Sequence, residues 1–218
     1  MSALWICDVN GVLVDTAAIV RGAFAATAPR FGFAFQERDF EAVKTLGLED
    51  AYLKLDSRHD ASRLRQFHVQ HVRGHLGEAS AYPGVHETLA AARARDIAVA
   101  AATSYGEIAE ACLVGTGLYP YIDCLVTQEE VKRRKPHPDM ILRILELFEV
   151  VTNGDRESVV YVGDTPADIE AGKRAGVLTV GVTYGLSSEQ EIRTAGPDYV
   201  IHSFNDMRMF LAAPVCSL

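Results

Sequence analysis

Residues 8–15 read Asp8-Val9-Asn10-Gly11-Val12-Leu13-Val14-Asp15 and follow the apolar run Leu4-Trp5-Ile6-Cys7. A carboxylate, Asp8, thus ends a short apolar segment beside a turn containing Gly11. Two further polar clusters also follow apolar runs: Thr103-Ser104 after Val99-Ala100-Ala101-Ala102, and Gly163-Asp164 after Val159-Val160-Tyr161-Val162. Lys135 stands in Arg133-Arg134-Lys135-Pro136-His137-Pro138-Asp139, just before a helical stretch. These residue types suit one chemistry. A carboxylate can act as a nucleophile. Asp8 and Asp164, with Asp168 and a backbone carbonyl, suit octahedral Mg²⁺ that keeps several waters. The Thr103 hydroxyl, the turn amides near Gly11 and the Lys135 ammonium suit the oxygens of a phosphoryl group.

These residues must be brought together by the elements that carry them. Short apolar runs at Leu4–Val9, Ile97–Ala102, Ile122–Val126, Val159–Gly163, Thr179–Val182 and Tyr199–Ile201 alternate with helical patterns near 85–95, 106–116, 138–149, 166–175, 188–195 and 204–212. That alternation predicts an α/β fold with a Rossmann-like parallel sheet covered on both faces. Ligands of such sheets bind outside the carboxyl ends of the strands, where all three clusters fall. Residues 16–79 break the rhythm. They are rich in Ala, Arg, His and Glu, with helical spacing in Ile19-Val20-Ala23-Phe24 and Leu64-Phe67-His68-His71 and no convincing strand. They read as a small inserted α-helical cap, ending at the turn signal Tyr82-Pro83-Gly84. The core is then 1–15 and 80–218.

Composition bounds the rest. The chain has 218 residues, 49% of them hydrophobic, and a net charge of −8. That suits a single core with a modest insertion and argues against nonspecific nucleic-acid binding. The four cysteines show no C-x-x-C spacing, so free thiols in a reducing cytoplasm are expected. No apolar run approaches the ~18 residues of a membrane span, and the N-terminus lacks a secretory pattern.

The four clusters together resemble the haloacid dehalogenase superfamily, in the phosphatase branch with a helical cap after the first strand (phosphoglycolate phosphatase and β-phosphoglucomutase-like). The first motif of that family, D-x-D-G-[TV]-L-x-D, matches residues 8–15 except at Asn10. Thr103 matches the second motif, Lys135 of Lys135-Pro136-His137-Pro138 the third, and Gly163-Asp164-Thr165-Pro166-Ala167-Asp168 the fourth. The resemblance covers essentially the whole chain. It implies Mg²⁺ as cofactor, a small phosphorylated metabolite as substrate, and an aspartyl-phosphate on Asp8. Thr103 and Lys135 would hold phosphoryl oxygens. Asp8, the backbone carbonyl of Asn10 and Asp164 would bind the metal, with Asp168 in support. Gly11 and Ser104 would border the substrate, and Arg21, Lys44 and residues near Gly47 are the candidate cap contacts.

Plainer roles stand beside these. Asp8 could be a turn residue, Thr103-Ser104 could cap the helix near Gly106, and Lys135 could be a solvated surface residue. Thr165-Pro166-Ala167-Asp168 reads as a helix N-terminus with Asp168 at its third position. His137 reads as structural, and Asp15 as the end of the first turn or a hinge.

Asn10 departs from the family pattern. An amide is neither acid nor base at neutral pH. The missing proton transfer is worth about 10²–10⁴-fold, or roughly 3–5 kcal/mol. Several readings follow. The chain is a phosphatase for leaving groups that need little protonation, such as an acyl phosphate, phosphoanhydride or acidic enol or phenol. It is a weak phosphatase that draws its proton from water or a cap residue. It carries an Asp-to-Asn change made to trap a ligand. It is a phosphonatase-like C–P hydrolase, which would need a cap lysine, although only Lys44 and Lys54 occur there and the region of interest reads Gly47-Leu48-Glu49-Asp50. A metal-free dehalogenase is the least consistent with this first motif. Outside enzymes, it is a phosphometabolite-binding or regulatory protein that kept the fold and lost turnover.

Overall fold

The computed structural model describes residues 4–150 and 158–211. Strands β1 (Leu4–Cys7), β4 (Ala98–Thr103), β5 (Cys124–Thr127), β6 (Val159–Gly163), β7 (Leu178–Val182) and β8 (Tyr199–Ile201) form one sheet in the order β5-β4-β1-β6-β7-β8. Every pairing in it is parallel. Alternation along the strands explains why both faces are covered. Trp5, Cys7, Val99, Ala101, Val160 and Val162 point into one buried cluster, while Leu4, Ile6, Ala100, Ala102, Val159 and Tyr161 point into the other. Helices α5 (Val85–Arg93) and α6 (Gly106–Gly115) cover the first face, and α7 (Asp139–Leu147) and α8 (Pro166–Ala175) the second. Helix α9 (Glu189–Ala195) lies beyond β7.

The chain leaves central β1 toward β4 and β5 on one side and returns to β6, β7 and β8 on the other. The strand order therefore reverses at β1, and a crevice opens there at the carboxyl ends. Asp8 follows β1, Thr103 ends β4 and Asp164 follows β6.

The insertion contains α1 (Ala17–Arg30), α2 (Glu37–Val43), α3 (Leu48–Leu55) and α4 (Ala61–Gly74). Phe24, Phe40, Val43, Ala51, Tyr52 and Leu64 form a separate core among them. Ile19, Ala23, Val69 and Val72 face the sheet side instead and join its first cluster. The pattern left no strand at the base of the insertion, but one is present: β2 (Val14–Asp15) pairs antiparallel with β3 (Ser80–Ala81). Two residues per strand are too few for a period-2 signal, which is why alternation missed them.

Several boundaries move. The third predicted strand, Ile122–Val126, begins at Cys124. A 3₁₀ turn at Tyr119–Tyr121 feeds Asp123, whose backbone N–H and carboxylate both bond Val99 instead of extending the strand. The pattern near 204–212 is a 3₁₀ helix, Phe204–Leu211. Cys7, Cys112 and Cys124 are free thiols, whereas Cys216 lies outside the described residues. Among the described residues no helix is long and apolar enough to cross a membrane.

Candidate active site

Asp8 leaves β1 with its backbone N–H on the Val162 carbonyl (2.9 Å), which fixes it between β1 and β6. Its Oδ1 accepts the Val9 N–H at 2.8 Å and faces the Lys135 Nζ at 3.2 Å. Lys135 is nearly enclosed, with 7% of its side chain exposed. Its ammonium also donates to the Ala102 carbonyl (2.9 Å) and meets Asp168 Oδ1 (2.8 Å), above the Tyr161 ring. Three donors thus meet three acceptors, and the lysine is held in one place.

Asp168 is fully engaged. Oδ1 accepts the Tyr161 hydroxyl (2.8 Å) as well as Lys135, and Oδ2 accepts the Thr165 N–H (3.0 Å) and hydroxyl (2.5 Å). Thr165 and Asp168 form the capping box of α8, so the plainer role is present together with the ion pair.

Asp164 differs. Its Oδ2 accepts the Leu186 N–H at 2.8 Å, but its buried Oδ1 has no partner. A Cβ on Gly11 or Gly185 would collide with this carboxyl group, so both glycines let the backbone close around it. Gly11 also has φ +86°, where a side chain is strained. The ligand atoms of Asp8, Asp164 and Asp168 lie within 4.8 Å of one another. A buried carboxylate oxygen with no donor, beside two further carboxylates, is costly as it stands. The donor set is all oxygen and suits a hard divalent cation.

Electrostatics reflect this crowding. Burial, with Asp168 nearby, pushes the Asp8 carboxyl up to about 6, although Lys135 and the Val9 N–H pull against it. Burial and the negative charges of Asp168 and Asp8 hold Asp164 well above the usual carboxylate range. Burial also acts on Asp168, but Lys135, Thr165 and Tyr161 outweigh it and keep it low.

Thr103 is buried, and its Oγ1 accepts the Tyr105 N–H at 3.2 Å. Tyr105, and neither Thr103 nor Ser104, occupies the N-cap position of α6. The Thr16 hydroxyl donates to the Asn10 Oδ1 at 3.1 Å, so the other end of that amide carries its donors. A cleft joins these groups: Asp8, Asn10, Thr103, Ser104, Lys135, Asp164 and Asp168 line it from the sheet side, Lys44 and Gly47 from the insertion. Lys44 is largely covered and pairs with Glu41 at 2.6 Å. Arg21 is not brought into the cleft; it lies over the Phe40 ring and pairs with Glu37 at 3.4 Å. Asp15 precedes the N-cap residue of α1, Thr16, and its Oδ1 accepts the Ala17 N–H at 3.1 Å.

Sequence reasoning passed over Thr16, Tyr105, Arg134 and Leu186, all of which line the cleft. Arg134 had a usable signal, its adjacency to Lys135. Leu186 had none, because it acts through its backbone.

Comparison with known proteins gives the chain's relatives. A family model described as haloacid dehalogenase-like hydrolase matches residues 5–182. "Probable phosphatase IndB" of Dickeya dadantii is 29% identical over 95% of this chain and 92% of its own length. "Pyrophosphatase PpaX" of Oceanobacillus iheyensis is 25% identical over 92% of each. Among solved structures, an Asp-to-Asn mutant of CbbY from Rhodobacter sphaeroides, in complex with xylulose-(1,5)bisphosphate, superposes with a TM-score of 0.81. It is 22% identical, with 95% of this chain and 96% of that one covered.

Proposed function

The chain belongs to the haloacid dehalogenase-like hydrolases, and from that premise we propose that it is a Mg²⁺-dependent hydrolase of a small phosphorylated metabolite, acting through an aspartyl-phosphate on Asp8 and specialised for leaving groups that depart without a proton. The observation that carries the reading is the Asp8–Lys135 pair at the floor of the cleft, 3.2 Å apart, beside the unpartnered Oδ1 of Asp164.

Asp8 and Asp164, with the Asn10 carbonyl, would hold Mg²⁺; Asp168 supports them by fixing Lys135. Bound there, the ion would offset charge on the transferring phosphoryl group. The Asp8 carboxylate attacks phosphorus, the P–O bond to the leaving group breaks, and its electron pair leaves with that oxygen. Lys135 faces the equatorial oxygens. The Thr103 hydroxyl, already an acceptor for Tyr105, donates its proton to one of them. Water then attacks phosphorus, the bond to the Asp8 oxygen breaks and returns the carboxylate, and the water's proton leaves on the released phosphate. Preorganised donors of this kind are usually the largest catalytic contribution.

Asn10 turns its amide donors away from Thr16 and can hydrogen-bond a leaving oxygen, but it cannot protonate one. Phosphoanhydrides and acyl phosphates need no such proton. The similarity to a protein named a pyrophosphatase supports that substrate class. The helices of 17–74 act as a cap that excludes water and reads the substrate, with Lys44 as their cation in the cleft. Free thiols at Cys7, Cys112 and Cys124 suit a reducing cytoplasm.

The test is phosphate release from inorganic pyrophosphate, acetyl phosphate and an alkyl phosphate such as glycerol phosphate, with and without Mg²⁺. Turnover should need Mg²⁺, favour the first two and vanish in Asp8→Ala. Phosphate binding with no turnover of any substrate would instead support a non-catalytic binder, the reading that Asn10 also allows.

A further inference from the structure

A chain of hydrogen bonds runs from the inserted helices to the turn after β4. The Tyr52 hydroxyl on α3 meets His68 Nδ1 on α4 at 2.8 Å, and the Tyr105 hydroxyl meets His68 Nε2 at 2.9 Å. The Tyr105 backbone N–H in turn donates to Thr103 Oγ1 at 3.2 Å. Tyr52 and His68 are completely buried. The His68 ring packs edge-on against Phe24, with centroids 4.6 Å apart.

Burial holds His68 neutral by pushing its pKa down to about 3. A neutral imidazole has one donor and one acceptor nitrogen, so one of the two tyrosine hydroxyls donates to His68 and the other accepts from it. Only a group with a donor at one end and an acceptor at the other fits between Tyr52 and Tyr105.

We propose that His68 is a positioning residue for the phosphoryl-binding turn: it holds the Tyr105 hydroxyl and, through the Tyr105 backbone, the Thr103 side chain, so that the site's grip on a phosphoryl group depends on the seating of α4. The inference rests on the role given to Thr103 above. It makes the insertion more than a lid, because one of its buried residues sets a group in the sheet half of the site.

The two nitrogens of His68 can be tested separately. An Asn amide reaches the Nδ1 position and a Gln amide the Nε2 position. His68→Asn keeps the bond to Tyr52 and loses Tyr105; His68→Gln does the reverse. The measurement is the Kd of inorganic phosphate by calorimetry in the presence of Mg²⁺, with the melting temperature of each variant alongside. His68→Asn and Tyr105→Phe should weaken phosphate binding about three- to tenfold, the worth of one hydrogen bond. His68→Gln and Tyr52→Phe should keep the unmodified affinity even where the melting temperature falls. If Tyr105→Phe does not fold, the His68 pair decides. Equal phosphate affinity in His68→Asn and His68→Gln would overturn the coupling and leave a structural relay. Failure of the unmodified chain to bind phosphate would overturn the reading of the site and this coupling with it.

Discussion

The Lys135 ammonium lies 3.2 Å from the Asp8 carboxylate, and it is held there by Asp168 and the Ala102 carbonyl. The lysine positive charge lowers the Asp8 pKa against the burial that raises it to about 6. Lys135→Met removes that counter-charge. The Asp8 pKa should rise, so the ascending limb of the pH–rate profile should move to higher pH. At neutral pH kcat/KM should fall by about 10²-fold or more, through both the lost nucleophile fraction and the lost phosphoryl contact. A lower rate with an unmoved pH profile would show that Lys135 does not act on Asp8.

Asp164→Asn tests the cation site without activity. Asn keeps an acceptor for the Leu186 N–H and removes a buried charge whose Oδ1 has no partner. Without metal, the variant should be at least as stable as the unmodified chain. With metal, the unmodified chain should gain about 2.7 kcal/mol at a hundred times the Kd of Mg²⁺, and the variant close to nothing. Thermal denaturation with and without Mg²⁺ reads both outcomes.

Metal-free stability should depend on pH in a definite direction. Asp8 and Asp164 have raised pKa values in the folded state, so they take up protons there at a pH where the unfolded carboxylates are still ionised. The proton-linked gain is therefore lost as pH rises through about 6 for Asp8 and appears as pH falls toward the unfolded value of 3.8. Mg²⁺ must displace those protons, so its stabilising effect should be larger near pH 7.5 than near pH 5.5. Denaturant titrations at the two pH values, with and without Mg²⁺, measure this. A stabilisation independent of pH would remove Asp8 and Asp164 from the metal site.

Gly11 and Gly32 share a positive φ, +86° and +73°, but only Gly11 faces a carboxyl group where a Cβ would sit. Ala at either position should cost about 1–2 kcal/mol for the backbone alone. Gly11→Ala should cost more than Gly32→Ala, and it alone should weaken Mg²⁺ binding by displacing Asp164. Equal losses in both variants would mean that the glycine does not cradle Asp164.

Much of this site was legible because its residues end apolar runs. Asp8 and Asp164 follow, and Thr103 ends, strands whose side chains must be buried on both faces, and such strands stop where their polar residues begin. Lys135 was legible through its prolines, and the capping box of Thr165 and Asp168 through its spacing. The reading failed where a helix face had to be chosen. Lys44 and Arg21 were equal candidates by type, yet Phe40 and Glu37 hold Arg21 outside the cleft. The β2–β3 pair was too short to show a period. The relay through Tyr52, His68 and Tyr105 was invisible, because it joins three segments far apart in the chain with no shared pattern.

Asn10→Asp restores a proton donor while leaving the backbone carbonyl in place. It should speed an alkyl phosphate by about 10²-fold and acetyl phosphate or p-nitrophenyl phosphate far less, because only the alkoxide needs a proton to leave. Equal acceleration of both classes, or none, would sink the account of residue 10.

The most direct measurement is mass spectrometry of the chain quenched in acid during turnover of acetyl phosphate with Mg²⁺. The account predicts a phosphoryl adduct on the peptide containing Asp8, absent in Asp8→Ala together with phosphate release. Steady turnover by Asp8→Ala, or an adduct on any other residue, would contradict it.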